Sequence, residues 1–171
     1  MHRLWQTIHD RFSCYNPEKK ARENTPDKRP RKNDQMAKPS PHDALIHIMV
    51  TMSAADRSMT DSELAKMGNI IKTLPVFEGY ATDNLVAAAS HCSEILQDDD
   101  GLDQIIENAL EVLPKKLHET AYALAVEVAA ADLHIEQEEL RLLQLLRDRF
   151  NLDRLACAAI ERGARARHQV L

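Results

Sequence analysis

Apolar residues recur at helical spacing through most of the chain. Leu102, Ile105, Ile106, Leu110 and Leu113 fall on the inner side of one segment. Leu117, Ala121, Leu124, Ala125 and Val128 do so in a second, and Leu140, Leu143, Leu146 and Phe150 in a third. A period near 3.6 predicts amphipathic helices, and start and stop signals bound them. Ser40-Pro41-His42-Asp43 combines a cap, a proline at the first helical position and an acid in the first turn, so a helix starts there and runs to about Ala54. Thr60-Asp61-Ser62-Glu63 is a capping box for a second helix, which stops near Leu74-Pro75 because proline lacks the amide the ladder needs. Thr82-Asp83 predicts a third helix to about Gln97, Asp98-Asp99-Asp100-Gly101 breaks the chain before the fourth, and Pro114 opens the fifth. The sixth spans 136–150, and Asn151 is expected to cap a seventh carrying Leu155, Ala158 and Ile160. Seven helices on short loops predict an all-α bundle.

One stretch occurs twice. Ala54-Ala55-Asp56-Arg57-Ser58-Met59-Thr60-Asp61-Ser62-Glu63-Leu64 returns as Ala130-Ala131-Asp132-Leu133-His134-Ile135-Glu136-Gln137-Glu138-Glu139-Leu140. The same offset pairs Ile48 with Leu124, Val50 with Val126, Met52 with Val128, Met67 with Leu143, Ile70 with Leu146 and Leu74 with Phe150. The bundle is therefore read as built on two repeated helix-loop-helix units, packed as a pseudo-symmetric pair. Each loop carries an Asp just after an apolar helix and a Glu seven residues later at the start of the next. Pairing the units would gather four carboxylates.

Composition agrees with a helical body and adds a charge asymmetry. Hydrophobic residues make up 44%, aromatics only 4%, and there are four glycines, which disfavours β-structure. Residues 1–41 hold ten Lys/Arg against five acids, so the overall −5 divides into +5 there and −10 over 42–171. An acidic body argues against nucleic acid and favours cations or basic partner surfaces. Cys14, Cys92 and Cys157 are isolated, and no leader or long apolar span is visible, so a reducing, cytoplasmic setting is expected. Cys92 and Cys157 lie in apolar patterns and read as small core residues rather than redox groups.

Residues 16–41 are rich in Pro, Lys, Arg, Asn and Asp with little that is apolar, the composition of a disordered linker. Before it, Leu4, Trp5, Ile8 and Phe12 share one side of a short amphipathic helix. Residues 1–41 thus form a basic, largely disordered extension to a helical domain at 42–171. The short helix reads either as a docking or peripheral membrane anchor or, the better fit, as an ill-ordered extension upstream of a start at Met36.

On these two loops, each Ala-Asp followed by an apolar residue and a Glu between an Ala-rich and a Leu-rich helix, residues 43–153 resemble the TerB family of tellurite resistance. Its fold also forms the N-terminal domain of membrane-anchored J-domain co-chaperones of the DjlA type. The resemblance implies an all-helical cytoplasmic protein of stress or tellurite resistance that binds protein partners or divalent cations, with no established catalysis. The family's loop acids match Asp56 and Glu63 in the first unit and Asp132 and Glu139 in the second. The family commonly has Gly after each Asp, where this chain has Arg57 and Leu133.

Hard divalent cations, Ca²⁺ or Mg²⁺, want several oxygen ligands, and Asp61 and Glu136 could join those four acids. The spacing is not that of an EF-hand, whose loop needs twelve residues and a central Gly. Structural capping accounts for much of the same pattern, since Glu63 completes a box with Thr60 and first-turn acids favour the helix dipole. His134 reads as a solvated loop histidine, because no second His lies at i+4. His118-Glu119 lacks the second His of a zincin, and Asp98-Asp99-Asp100 reads as a solvated terminus. No phosphate-binding or dinucleotide motif and no nucleophile with a base is visible, so no catalytic residue is assigned. The expectation is a non-enzymatic module binding protein partners and divalent cations through acidic loops. Rivals are a co-chaperone-type adaptor, although neither a J-domain signature nor a transmembrane segment is present, and a metal-assisted hydrolase.

Overall fold

The computed structural model describes residues 38–54, 59–131 and 137–170. The expectations placed on the linker and short helix of residues 1–37, and on Asp56, Asp132, His134 and Glu136, lie outside them. Seven α-helices and no strand occur among the described residues: α1 (Pro41–Ser53), α2 (Asp61–Thr73), α3 (Leu85–Ile95), α4 (Gly101–Val112), α5 (His118–Ala130), α6 (Gln137–Arg149) and α7 (Arg154–Arg167). None is long and apolar enough to cross a membrane.

The predicted punctuation forms where polar side chains can satisfy free helix ends. Ser40 accepts from Asp43 N at 3.1 Å while Asp43 reaches back to Ser40, with Pro41 at the first position. Lys38, just before this cap, pairs with Glu111 of α4. Thr82–Asn84 and Lys115–Leu117 form single 3₁₀ turns, so α3 and α5 start at Leu85 and His118, later than Thr82 and Pro114 predict. Gly101 opens α4 because a Cβ there would stand 2.0 Å from the Ile95 carbonyl oxygen.

One cap is reassigned. Asn151 closes α6 instead of opening α7: it takes φ 51°, its N–H donates to Asp148 O and the N–H of Leu152 donates to Arg147 O. This is a Schellman closure with Asn in the left-handed position. Asp153, accepting from Ala156 N at 2.9 Å, is the cap of α7.

The core forms around α1, which is buried at every residue from Ala44 to Ser53 and packs on α3, α4 and α5. Of the residues expected inside, Ile48, Val50, Met52, Leu124, Leu143 and Leu146 are buried, whereas Val128 is only half-buried. Leu140 and Leu155, placed inward by periodicity, are 52% and 78% exposed. The buried positions of α7 are instead Cys157 and Ala164, with Ile160 packed against the core.

Within α1, the Thr51 hydroxyl donates to His47 O at 2.7 Å and the Cys92 thiol to the same oxygen at 3.5 Å. Burial pushes the Cys92 thiol up to about 12, against the opposing hydrogen bond of Thr51. Burial also raises Cys157. Both thiols stay protonated, which is the inert core role expected of them.

His47 is 1% exposed, packs against the His91 ring at 5.4 Å, and neither of its ring nitrogens has a partner of ordinary hydrogen-bond geometry. Burial lowers its pKa from 6.5 to about 4, His91 adds to the shift, and Asp43 and the Ala88 backbone oppose it only in part.

Two outcomes follow from this core. Leu146, 1% exposed, belongs to the buried core, so Leu146→Ala should cost roughly 2–5 kcal/mol, seen as a lower urea midpoint at unchanged slope. The second concerns pH. An unfolded chain takes up a proton at His47 near 6.5, whereas the native ring resists down to about 4. The stabilisation from the neutral ring is complete above pH 6.5 and is lost, by roughly 3 kcal/mol, as pH falls to 4. Urea titrations of His47→Leu should lose that part of the pH slope; an unchanged slope would assign it to other groups.

Candidate functional site

The C-termini of α1 and α5 and the N-termini of α2 and α6 converge at one end of the bundle. They enclose a cleft of about 20 Å³ lined by Ser53, Glu63, Lys66, Met67, Ile70, Val128, Ala131 and Glu139. Glu63 and Glu139, related by the repeat, therefore face the same small space. That volume suits about one water or one bare cation, not an organic molecule.

Glu63 is held by its own unit. Its Oε2 accepts from Thr60 N at 2.6 Å and from the Thr60 hydroxyl at 2.8 Å, while Thr60 Oγ1 accepts from Glu63 N at 3.3 Å. This is the capping box read from the sequence. Its Oε1 accepts from the Ser53 hydroxyl at 2.7 Å. Ser53 is buried at the last position of α1, so Glu63 clamps the end of one helix to the start of the next across the loop. Three of about four acceptor sites on this carboxylate are thereby used.

Glu139 differs. It is buried, 8% exposed, in the first turn of α6, and it lines the cleft beside Ala131. The residue corresponding to Ser53 under the repeat offset is Ala129, so the second unit has no equivalent hydroxyl clamp. Asp61 lies exposed at the first position of α2, where its charge favours the positive helix end, and it does not line the cleft. Asp56, Asp132 and Glu136 belong to segments outside the described residues. Those segments are flanked by cleft residues on both sides, Ser53 and Glu63 for the first and Ala131 and Glu139 for the second. Among the described residues no three His, Cys, Asp or Glu groups are placed to hold a metal ion.

Two residues here escaped the sequence reading. Ser53 carries no motif of its own, and only its position at the helix end, ten residues before Glu63, hints at the clamp. Lys66, one turn into α2, brings a cation to the cleft wall. The remaining chemistry-bearing side chains have local roles. His118 Nε2 lies 3.3 Å from Leu113 O with its ring against Phe150, so it ties the α4–α5 turn. Asp100 accepts from Gln104 Nε2 at 2.8 Å within the first turns of α4.

The family model of the tellurite resistance protein TerB matches residues 42–162, the stretch from the first helix to most of α7. No curated protein and no solved structure matches significantly. The matched region contains both helix-loop-helix units and the cleft their glutamates share, and the chain belongs to the TerB family.

Proposed function

We propose that this chain is a non-catalytic, tellurite-resistance-type stress module. It would recognise protein partners through an acidic surface and hold a hard divalent cation, Ca²⁺ or Mg²⁺, at the cleft that Glu63 and Glu139 line. The observation that carries the reading is the convergence of Glu63 and Glu139, 76 residues apart, on one cleft of cation size. Residues 42–139 hold nineteen acids against five Lys/Arg, a field that attracts cations and basic partner surfaces.

The donor set suits a hard cation, because every acid on and beside the cleft offers carboxylate oxygen. Glu139 would be the anchoring ligand, with Asp56 and Asp132 supplied by the loops. Glu63 would contribute its one remaining acceptor site while keeping its clamp on Ser53 and Thr60. A non-catalytic role is supported by the size of the cleft and by the protonated, buried state of Cys92 and Cys157.

The clamp and the cation give separable outcomes. In chelator, a double-mutant cycle of Ser53→Ala and Glu63→Ala should show Glu63→Ala costing about 2 kcal/mol, with coupling of about 1 kcal/mol between the two. A cost that appears only with metal present would make Glu63 a ligand first and a cap second.

Millimolar Ca²⁺ or Mg²⁺ should raise the melting temperature by about 3–6 °C at tenfold excess over the dissociation constant. Asp56→Asn/Asp132→Asn should lose that increment and keep its helicity. No metal response in the parent, with an unfolded double variant, would leave the acids as structural groups and end the cation reading. A stable, metal-blind pair in which only the variant loses a captured partner would assign the acidic face to protein recognition alone.

A further inference from the structure

Helices α5, α6 and α7 enclose a second and larger space that shares no residue with the carboxylate cleft. Its volume is about 500 Å³, within the range of small-molecule sites. Each helix contributes one stripe at helical spacing. From α5 come Tyr122, Val126, Ala129 and Ala130, an apolar floor with one phenol. From α6 come Leu140, Leu143, Gln144 and Arg147, which gives the exposed Leu140 a place as a wall of the groove. The α7 stripe is polar, with Glu161, Arg165 and His168 at i, i+4 and i+7.

Charge distinguishes this groove from the rest of the body. Residues 140–171 hold seven arginines, no lysine and three acids, whereas residues 42–139 are strongly acidic. Several of these cations are already used. Arg149 pairs with Asp103 at 2.9 Å and Glu107 at 3.5 Å, and Glu127 takes both Arg167 and His168, the latter at 3.0 Å. Burial works against the Glu127 carboxylate, but the hydrogen bonds from Arg167 and His168 prevail and hold it below its usual range.

The two arginines that line the groove are less engaged than Arg149 and Arg167. Arg165 has no ion pair among the described residues. Arg147 approaches only its neighbour Asp148, at 3.7 Å, and its Nε–H is buried without an acceptor. The acid in the wall, Glu161, has its Oε1 engaged by the Tyr122 hydroxyl at 2.6 Å. An apolar floor beside two guanidinium groups suits an amphiphilic anion.

We propose that this groove binds a small amphiphilic carboxylate of the medium-chain fatty-acid kind. Its head group lies between Arg147 and Arg165, and its alkyl body lies along Val126, Ala129, Leu140 and Leu143. A planar monoanion matches the guanidinium fork. A phosphate dianion matches less well, because Glu161 shares the wall and repels the second charge more than it repels a single one. The basic segment 1–41, at +5, is mismatched to an arginine-lined groove and is not its occupant.

The test uses the full chain, titrated calorimetrically with decanoate below its micelle concentration. Saturable one-to-one binding is expected, with decanol and decyl phosphate at least tenfold weaker. Arg165→Gln, at an exposed position, should weaken decanoate about tenfold and flatten its salt dependence. Ala130→Trp, at a half-buried position, should fill the groove and abolish binding with the circular dichroism unchanged. Both variants avoid the half-buried Arg147, whose loss could unfold the chain.

Binding of decanoate to both variants at parental strength would overturn the site. Tighter binding of decyl phosphate than of decanoate would overturn the carboxylate. Trp5 is the single tryptophan and reports on the remaining occupant. Emission typical of a buried indole that shifts red as decanoate is added would give the groove to the N-terminal segment and overturn the small ligand.

Discussion

The structure depends on a helix that is buried beyond its first turn. All ten residues from Ala44 to Ser53 are buried, so this length of α1 has no solvent face and must be enclosed by other elements. Enclosure makes every polar atom on α1 costly unless it is met from within. Its hydroxyls are met: Thr51 turns back to His47 O, and Ser53 is received by Glu63. His47 meets the constraint differently, by staying neutral. The acid that fixes the exit of α1 is thus also the first residue of the candidate site. Position of the site and integrity of the core share one hydrogen bond.

The repeat supplies two copies of one unit, and the second is used for something else. Under the same offset His47 corresponds to Ala123, Met52 to Val128 and Ser53 to Ala129. Met52 is fully buried, whereas Val128 is half-buried, so α5 is a core helix on one side only. On its other side α5 presents Tyr122, Val126, Ala129 and Ala130 to the arginine-lined groove. With Ala129 in place of Ser53, the preceding helix offers Glu139 no hydroxyl of the kind that holds Glu63.

What the sequence made legible follows what is local. The helices, the Thr60–Glu63 box, the Ser40 cap and the core residues of α1 could be read because capping and periodicity are short-range. The equivalence of Glu63 and Glu139 could be read too, but their shared cleft is a tertiary fact about how two helix pairs dock. Leu140 and Leu155 were misplaced because spacing says which residues share a face, not whether a neighbour covers it. Asn151 misled because Asn both caps helix starts and tolerates the left-handed conformation that ends them, and only the backbone at φ 51° decides between these roles. The arginine groove carried no motif, because its residues come from three helices and acquire meaning only when their stripes face one another.

Cleft and groove share two helices, α5 and α6. On α5, Val128 and Ala131 face the carboxylate cleft, whereas Val126, Ala129 and Ala130 face the groove. On α6 the change of side happens between neighbours, with Glu139 in the cleft and Leu140 in the groove. Consecutive helical residues point about 100° apart, so one short helix can present a carboxylate to one space and an alkyl wall to another. The charge pattern has the same economy: acids gather before residue 140 and arginines after it, and the α5–α6 pair lies along the boundary between them. Helix periodicity on α5 and α6 thus turns a carboxylate-lined space and an arginine-lined one to different sides of the same helix pair.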